Sequence, residues 1–100
     1  MRHCKLPAAY ISSAVYHKTV DEIWYVLEGN GELWLSDKDK TIKLKPTICI
    51  SIPRGISFQF KNTGKKDLKF LGVTIPVWPE GVEACYVKGK WKSNINLKKL

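Results

Sequence analysis

The sequence is poor in the residues that build metal and disulfide sites. It has two histidines, His3 and His17, and three cysteines, Cys4, Cys49 and Cys85, none close to another. An odd, dispersed cysteine set excludes a disulfide framework and the close Cys pairs of a structural zinc site. Free, packed thiols are the simpler reading. No apolar run approaches the roughly 20 residues that span a bilayer. The opening Met1-Arg2-His3-Cys4-Lys5-Leu6-Pro7 lacks the apolar stretch of a secretory signal. The expectation is a cytoplasmic protein with no membrane partner.

Arginine is also scarce. Only Arg2 and Arg54 are arginines among 17 basic residues, although the formal net charge is +8. Such a charge raises the question of nucleic acid. The composition argues against it, because arginine supplies the fork that reads guanine and phosphate. The lysines are scattered. Lys38, Lys40, Lys43 and Lys45 alternate with Asp37, Asp39 and apolar residues, as on a solvated strand face. Only Lys88, Lys90, Lys92, Lys98 and Lys99 form a basic tail.

Helical periodicity is absent too. No segment before residue 79 repeats its apolar positions at about 3.6 over the ten or so residues a helix needs. What is present is strand composition, in a chain of 100 residues that suits one domain. Glu22-Ile-Trp-Tyr-Val-Leu-Glu28 is β-branched and aromatic. Gly29-Asn30-Gly31 predicts a hairpin, with residues 32–36 as its return strand. Thr41–Lys45, Thr47–Ile52, Ser57–Lys61 and Leu68–Ile75 follow, separated by polar, Pro or Gly turns. Many short strands between turns indicate a sandwich or barrel. Residues 1–92 are expected to form the domain and 93–100 a loosely ordered tail.

Two stretches resemble the signature of the cupin family. His17-Lys-Thr-Val-Asp-Glu22, with Gly29 seven positions on, is similar to the family's first motif. Pro53-Arg-Gly55, with Asn62 seven positions on, is similar to its second. The resemblance covers residues 17–62 and extends to about residue 75. It implies an all-β, antiparallel jelly-roll barrel, the double-stranded β-helix. It also implies metal-ligand places, usually three His and one Glu. Here His17 and Glu22 fill two of them, while Val15 and Phe58 stand in the other two and Ala9 in the place of the leading Gly. Two ligands are too few for an ordinary centre. The expectation is therefore no cofactor, with a divalent metal at His17 and Glu22 as the weaker alternative.

Strand alternation puts Phe58 and Phe60 on one face, and Glu22 and Trp24 on another. By the resemblance both faces line the barrel. The candidate ligand pocket is thus His17, Glu22, Trp24, Phe58 and Phe60, either open or filled by its own side chains. Two readings of Glu22 stand side by side: a buried carboxylate held by His17 as an ion pair, or an exposed one at the barrel mouth. The leading functional reading is a cupin that binds a small sugar-like molecule or an organic or aromatic acid. One alternative is a metal-dependent enzyme of the dioxygenase or sugar-phosphate isomerase and epimerase type. A metal-free epimerase would use His17 as base and Tyr25 or Tyr16 as acid, but alternation turns Tyr25 away from Glu22. The last alternative is a dimeric interaction module. Only 16 residues precede His17, so one or two leading strands are expected to be missing, leaving an edge open for a homodimer. Trp34, Trp78 and Trp91 are assigned to core or dimer-interface packing, with Trp78-Pro79 and Gly89-Lys-Trp91 as a tail that folds over the barrel or reaches a neighbouring subunit.

Overall fold

A computed structural model of the chain describes residues 2–75 and 84–94. The nine strands among the described residues are β1 Arg2–Leu6, β2 Ala14–His17, β3 Asp21–Glu28, β4 Gly31–Leu35, β5 Lys40–Leu44, β6 Cys49–Ile52, β7 Phe58–Asn62, β8 Leu68–Ile75 and β9 Ala84–Val87. A short 3-10 turn, Ser36–Lys38, joins β4 to β5. Among the described residues no helix is long and apolar enough to cross a membrane.

The strands form two antiparallel sheets. One has the order β1-β8-β3-β6, the other β5-β4-β7-β2-β9. The chain steps between them at nearly every connection. Only β4 and β5 are consecutive strands that pair, Gly31 opposite Leu44 through Leu35 opposite Lys40. This winding path is the expected double-stranded β-helix, and the two sheets close face to face as a jelly roll.

The path corrects one expectation. Gly29-Asn30-Gly31 is not a hairpin turn, because β3 pairs with β6 and β8 while β4 pairs with β5 and β7. It is the corner where the chain changes sheets. The register of β3 slips between Val26 and Glu28, a bulge that re-aims the strand. Gly29 then turns at φ 90, where a Cβ would lie 2.5 Å from the Asp67 carbonyl oxygen. A hairpin would need neither the bulge nor that close approach.

The short N-terminus supplies β1 and β2, where missing strands were expected. Cys4 and Leu6 point inward from β1, and Val15 and His17 from β2. β9 was not foreseen, since residues from 76 on carry no clear alternation. The Trp78-Pro79 step lies outside the described residues. Of the segment 93–100, Ser93 Oγ donates to the Ile11 carbonyl at 3.1 Å, and Asn94 Nδ2 donates to the Ala9 carbonyl at 2.9 Å. Residues 95–100 lie outside the described residues.

Inward residues follow the period of two. The core holds Leu6, Val15, Trp24, Val26, Leu33, Leu44, Ile50, Ile52, Phe58, Phe60, Leu68 and Phe70. Trp24 is its centre: it stacks on Phe70 at 4.0 Å and meets Phe60 and Phe58 edge-on at 4.9 and 5.8 Å. Gln59 is buried on the opposite face of β7. Its amide donates to the Ser12 and Trp91 carbonyls and accepts from the Trp91 N–H, each at 2.8 Å. These bonds pin the segment after β9 against the outside of the five-stranded sheet. Asn62, the last residue of the second motif, is structural. Its amide donates to the Leu6 and Lys66 carbonyls and accepts from the Gly64 N–H.

Candidate functional site

The structure brings all five sequence-selected residues together and buries every one. His17 ends β2, Glu22 and Trp24 lie two apart on the inner face of β3, and Phe58 and Phe60 lie two apart on the inner face of β7. Val15 pairs directly with Phe58, so the two apolar replacements sit side by side. His17 and Phe58 rings are 5.4 Å apart. The interior beyond them is occupied by rings, since Trp24, Phe58, Phe60 and Phe70 pack on one another. The polar part of the site lies at one end of the barrel, around Glu22.

Glu22 is 1% exposed and its two oxygens have different partners. Oε1 accepts from the Trp24 indole N–H at 2.7 Å and lies 3.6 Å from His17 Nε2. Oε2 accepts from the Arg2 guanidinium at 3.1 Å. Burial alone would push this carboxyl up. The imidazole, the indole N–H and the guanidinium together outweigh it and hold Glu22 below its usual range. Cys4 is nearby, and burial raises its thiol, with Arg2 opposing and Glu22 adding to the rise.

Arg2 is the residue of this cluster that sequence reasoning missed. It lies at the start of β1, an edge strand, and β8 separates it from β3. It reaches Glu22 across Gly72, its register partner on β8 and that of Trp24 on β3. A Cβ at Gly72 would lie 3.5 Å from Glu22 Oε2. A longer side chain there would stand between guanidinium and carboxylate. The available signal was the scarcity of arginine itself. Both arginines end at carboxylates of β3: Arg54 Nε donates to Asp21 Oδ1 at 3.1 Å, and the Arg54 backbone N–H donates to the same oxygen at 2.8 Å. That side-chain and backbone pair holds Asp21 below its usual range. The next residue, Gly55, donates its N–H to the His17 carbonyl at 2.8 Å, so this turn belongs to the same end.

Strand alternation turns both candidate tyrosines away from the inward His17. Tyr25 is exposed on the outer face of β3, and Tyr16 alternates with the inward Val15 and His17. A cleft of about 420 Å³ lies at the far end of β3, lined by Glu28, Gly29, Asn30, Pro46, Gly64, Lys65 and Lys66. It contains none of the five residues.

The donor set does not fit a transition-metal centre. Among the described residues no group of three His, Cys, Asp or Glu comes together. Val15 and Phe58 offer carbon where imidazoles would be needed, and the Glu22 oxygens already accept from an indole and a guanidinium. A centre of this kind ordinarily takes at least three protein ligands.

A family model described as a cupin domain matches residues 2–74. No curated protein sequence matches the chain closely. Among solved structures, a Thermotoga maritima protein described as a predicted oxalate decarboxylase is 30% identical at a TM-score of 0.66; the match covers 72% of this chain and 61% of that one. KdgF from Halomonas sp. is 18% identical at a TM-score of 0.63, over 72% of this chain and 65% of that one. Bacillus subtilis oxalate decarboxylase, described with Mn(II) centres, is 18% identical at a TM-score of 0.64, over 70% of this chain and 19% of that one. The chain therefore spans less than two thirds of the length of each. The two more distant likenesses speak for the fold alone.

Proposed function

Because the chain belongs to the cupin family, we propose that it binds a small organic acid or sugar-like molecule at the His17–Glu22 end of the barrel, without a complete metal site. The observation that carries this reading is the placement of both arginines there. Each is anchored by one carboxylate of β3 and each side chain is about half exposed, 55% for Arg2 and 52% for Arg54. A guanidinium presents planar donors in a fork, and these match a carboxylate. That favours the organic acid over a neutral sugar. With the interior filled by rings, the ligand would sit at this end rather than deep in the barrel. The unpaired cysteines suit a reducing compartment such as the cytoplasm.

Thermal shift against mono- and dicarboxylic acids, aromatic acids and neutral sugars tests the proposal. A ligand at about 100 times its Kd should stabilise the folded chain by about 2.7 kcal/mol. For a domain of this size that is a rise of roughly 10 °C or more. Response to neutral sugars alone would refute the organic acid. Response to none would refute the binding reading.

One observation favours a second reading, the homodimer. The outer face of the four-stranded sheet exposes Tyr25, Leu27, Val73 and Ile75, with Ile23 and Leu71 half-buried between them. Ile23 is opposite Val73 and Tyr25 opposite Leu71, so the patch is continuous across β3 and β8. Contiguous apolar patches of this kind mark interfaces. A second copy would pack on it sheet to sheet. Sedimentation velocity should then show a dimer that Val73→Lys dissociates; a monomeric parent chain would exclude it.

A further inference from the structure

We infer that the Arg2 guanidinium supplies the positive charge that a divalent metal would otherwise supply to Glu22, so that the chain completes this site with a cation from its own first strand. The inference shares with the proposed function the incomplete metal site but needs no bound ligand, so a chain that binds no acid or sugar refutes the proposed function and leaves the inference standing.

Four observations converge. The carboxylate is buried, and a buried charge requires a partner. The guanidinium supplies it at 3.1 Å, on the oxygen that the indole does not use. Gly72 leaves open the path from β1 across β8, although the residues inside the sheet around it are otherwise bulky, among them Trp24, Phe70 and Ile52. The two places that would have turned donors toward an ion are Val15 and Phe58, paired with each other and packed in the core. A divalent ion entering here would find one carboxylate and one imidazole, and would meet the positive guanidinium at close range. Repulsion between like charges in a partly buried site is weakly screened. The site thus selects its own arginine over an external ion. Arg2 is a positioning residue in this reading: it fixes the Glu22 carboxylate, and through it the Trp24 indole and the His17 imidazole. The N-terminal strand, easily overlooked as a short edge, becomes part of the site.

The test uses the full chain and three substitutions, Arg2→Ala, Arg2→Met and Arg2→Lys. Arg2→Met keeps the apolar stem and removes the charge, so it decides the matter if Arg2→Ala does not fold. Melting temperature is read with EDTA, with MnCl2 or ZnCl2, and with guanidinium chloride in the low millimolar range. Metal per chain is read by elemental mass spectrometry. The parent chain should melt at one temperature with or without EDTA or metal, and carry metal well below one per chain. The neutral variants should melt lower, by about 4–8 °C. Low-millimolar guanidinium should recover part of that loss in the neutral variants and none in the parent, which merely structural packing by Arg2 would not produce. Arg2→Lys should fall between parent and neutral variants. Near one metal per chain in the parent, removed by EDTA with a fall in melting temperature, would overturn the inference. So would neutral variants that melt with the parent.

Discussion

Replacing Glu22 by Gln isolates the charge at the centre of the site while preserving its shape. The glutamine carbonyl can still accept from the Trp24 indole, which now donates at 2.7 Å. Its amide nitrogen then faces the Arg2 guanidinium, donor against donor, where an acceptor stood at 3.1 Å. A hydrogen bond to a charged group is worth about 1.5–3 kcal/mol. Arg2 is more than half exposed, so its share shrinks toward the 0–1 kcal/mol or so of a surface pair. The neutral amide is also cheaper to bury than a carboxylate, which offsets part of the loss. The net expectation is a destabilisation of about 1–2 kcal/mol at neutral pH. In urea, which adds no ionic screening, that is a midpoint lower by roughly 1 M.

The pH dependence gives this prediction its sharpest edge. Glu22 is held below its usual range in the folded chain by His17, Trp24 and Arg2, against the opposing push of burial. A carboxyl with a depressed folded pKa binds fewer protons folded than unfolded. Its stabilisation is therefore complete above the unfolded value, near 4.5, and is lost as the pH falls through the folded value. Asp21 is shifted in the same direction by Arg54. Asp21 and Arg54 are the same in both proteins, so their contribution cancels in the difference; His17, Arg2 and Cys4 face Glu22 and respond with it, so the difference reads the charge of the Glu22 cluster. The gap between their urea midpoints should be widest near pH 7 and close in acid. A gap that stays constant from acid to neutral pH, or a variant more stable than the parent at pH 7, would refute the charged Glu22 and its pair with Arg2.

Other consequences are simpler to read. Phe58→Ala should lose about 3–5 kcal/mol in denaturant unfolding, because the ring is buried between His17 and Trp24 and leaves a cavity. Gln59→Ala should lose about 1–3 kcal/mol, leaving polar groups of Ser12 and Trp91 without their partner; limited proteolysis should then cut first within residues 88–94. In the native chain a thiol reagent should modify exposed Cys49 fastest and Cys4 slowest, since Cys4 is buried and its thiol is pushed up. Val15→His with Phe58→His restores two imidazoles, yet should take up near one Mn or Zn per chain only when Arg2→Met is added, as measured on folded protein.

The fold was legible because its signal is local. Alternation in residues 41–45, 57–61 and 68–75 marks the strands observed at Lys40–Leu44, Phe58–Asn62 and Leu68–Ile75. The motif residues fixed the architecture. Gly29 was legible as a turn but not as a corner, since positive φ serves a hairpin and a crossover equally. What decides between them is pairing with strands far along the chain, β6 and β8, which no local pattern encodes. β1 and β9 escaped for a related reason. Both are short edge strands, and a strand of four or five residues barely completes a pattern. In the site, the five buried residues came from motif and alternation, which act along a strand. The partner of Glu22 came from two strands away and twenty positions earlier. His17 was the partner weighed because it was near in sequence; the closer charged contact is Arg2, 3.1 Å against 3.6 Å.

Asp21 and Glu22 show how a period of two becomes a closure device. They are adjacent, so they leave β3 on opposite faces. The inward carboxylate grips Arg2, which belongs to β1, one edge of the four-stranded sheet. The outward one grips Arg54, in the turn that leaves β6, the other edge. Two consecutive acids on a central strand thereby tie both edge elements at the same end of the barrel. Lysine would serve poorly in either place, since its ammonium is a point charge without the fork that can hold one carboxylate while facing another group. The chain uses lysine for 15 of its 17 basic residues and keeps arginine for these two positions. The scarcity of arginine, which first argued against a nucleic-acid surface, thus has a structural counterpart: both copies anchor the end of the barrel where Glu22 and His17 are held.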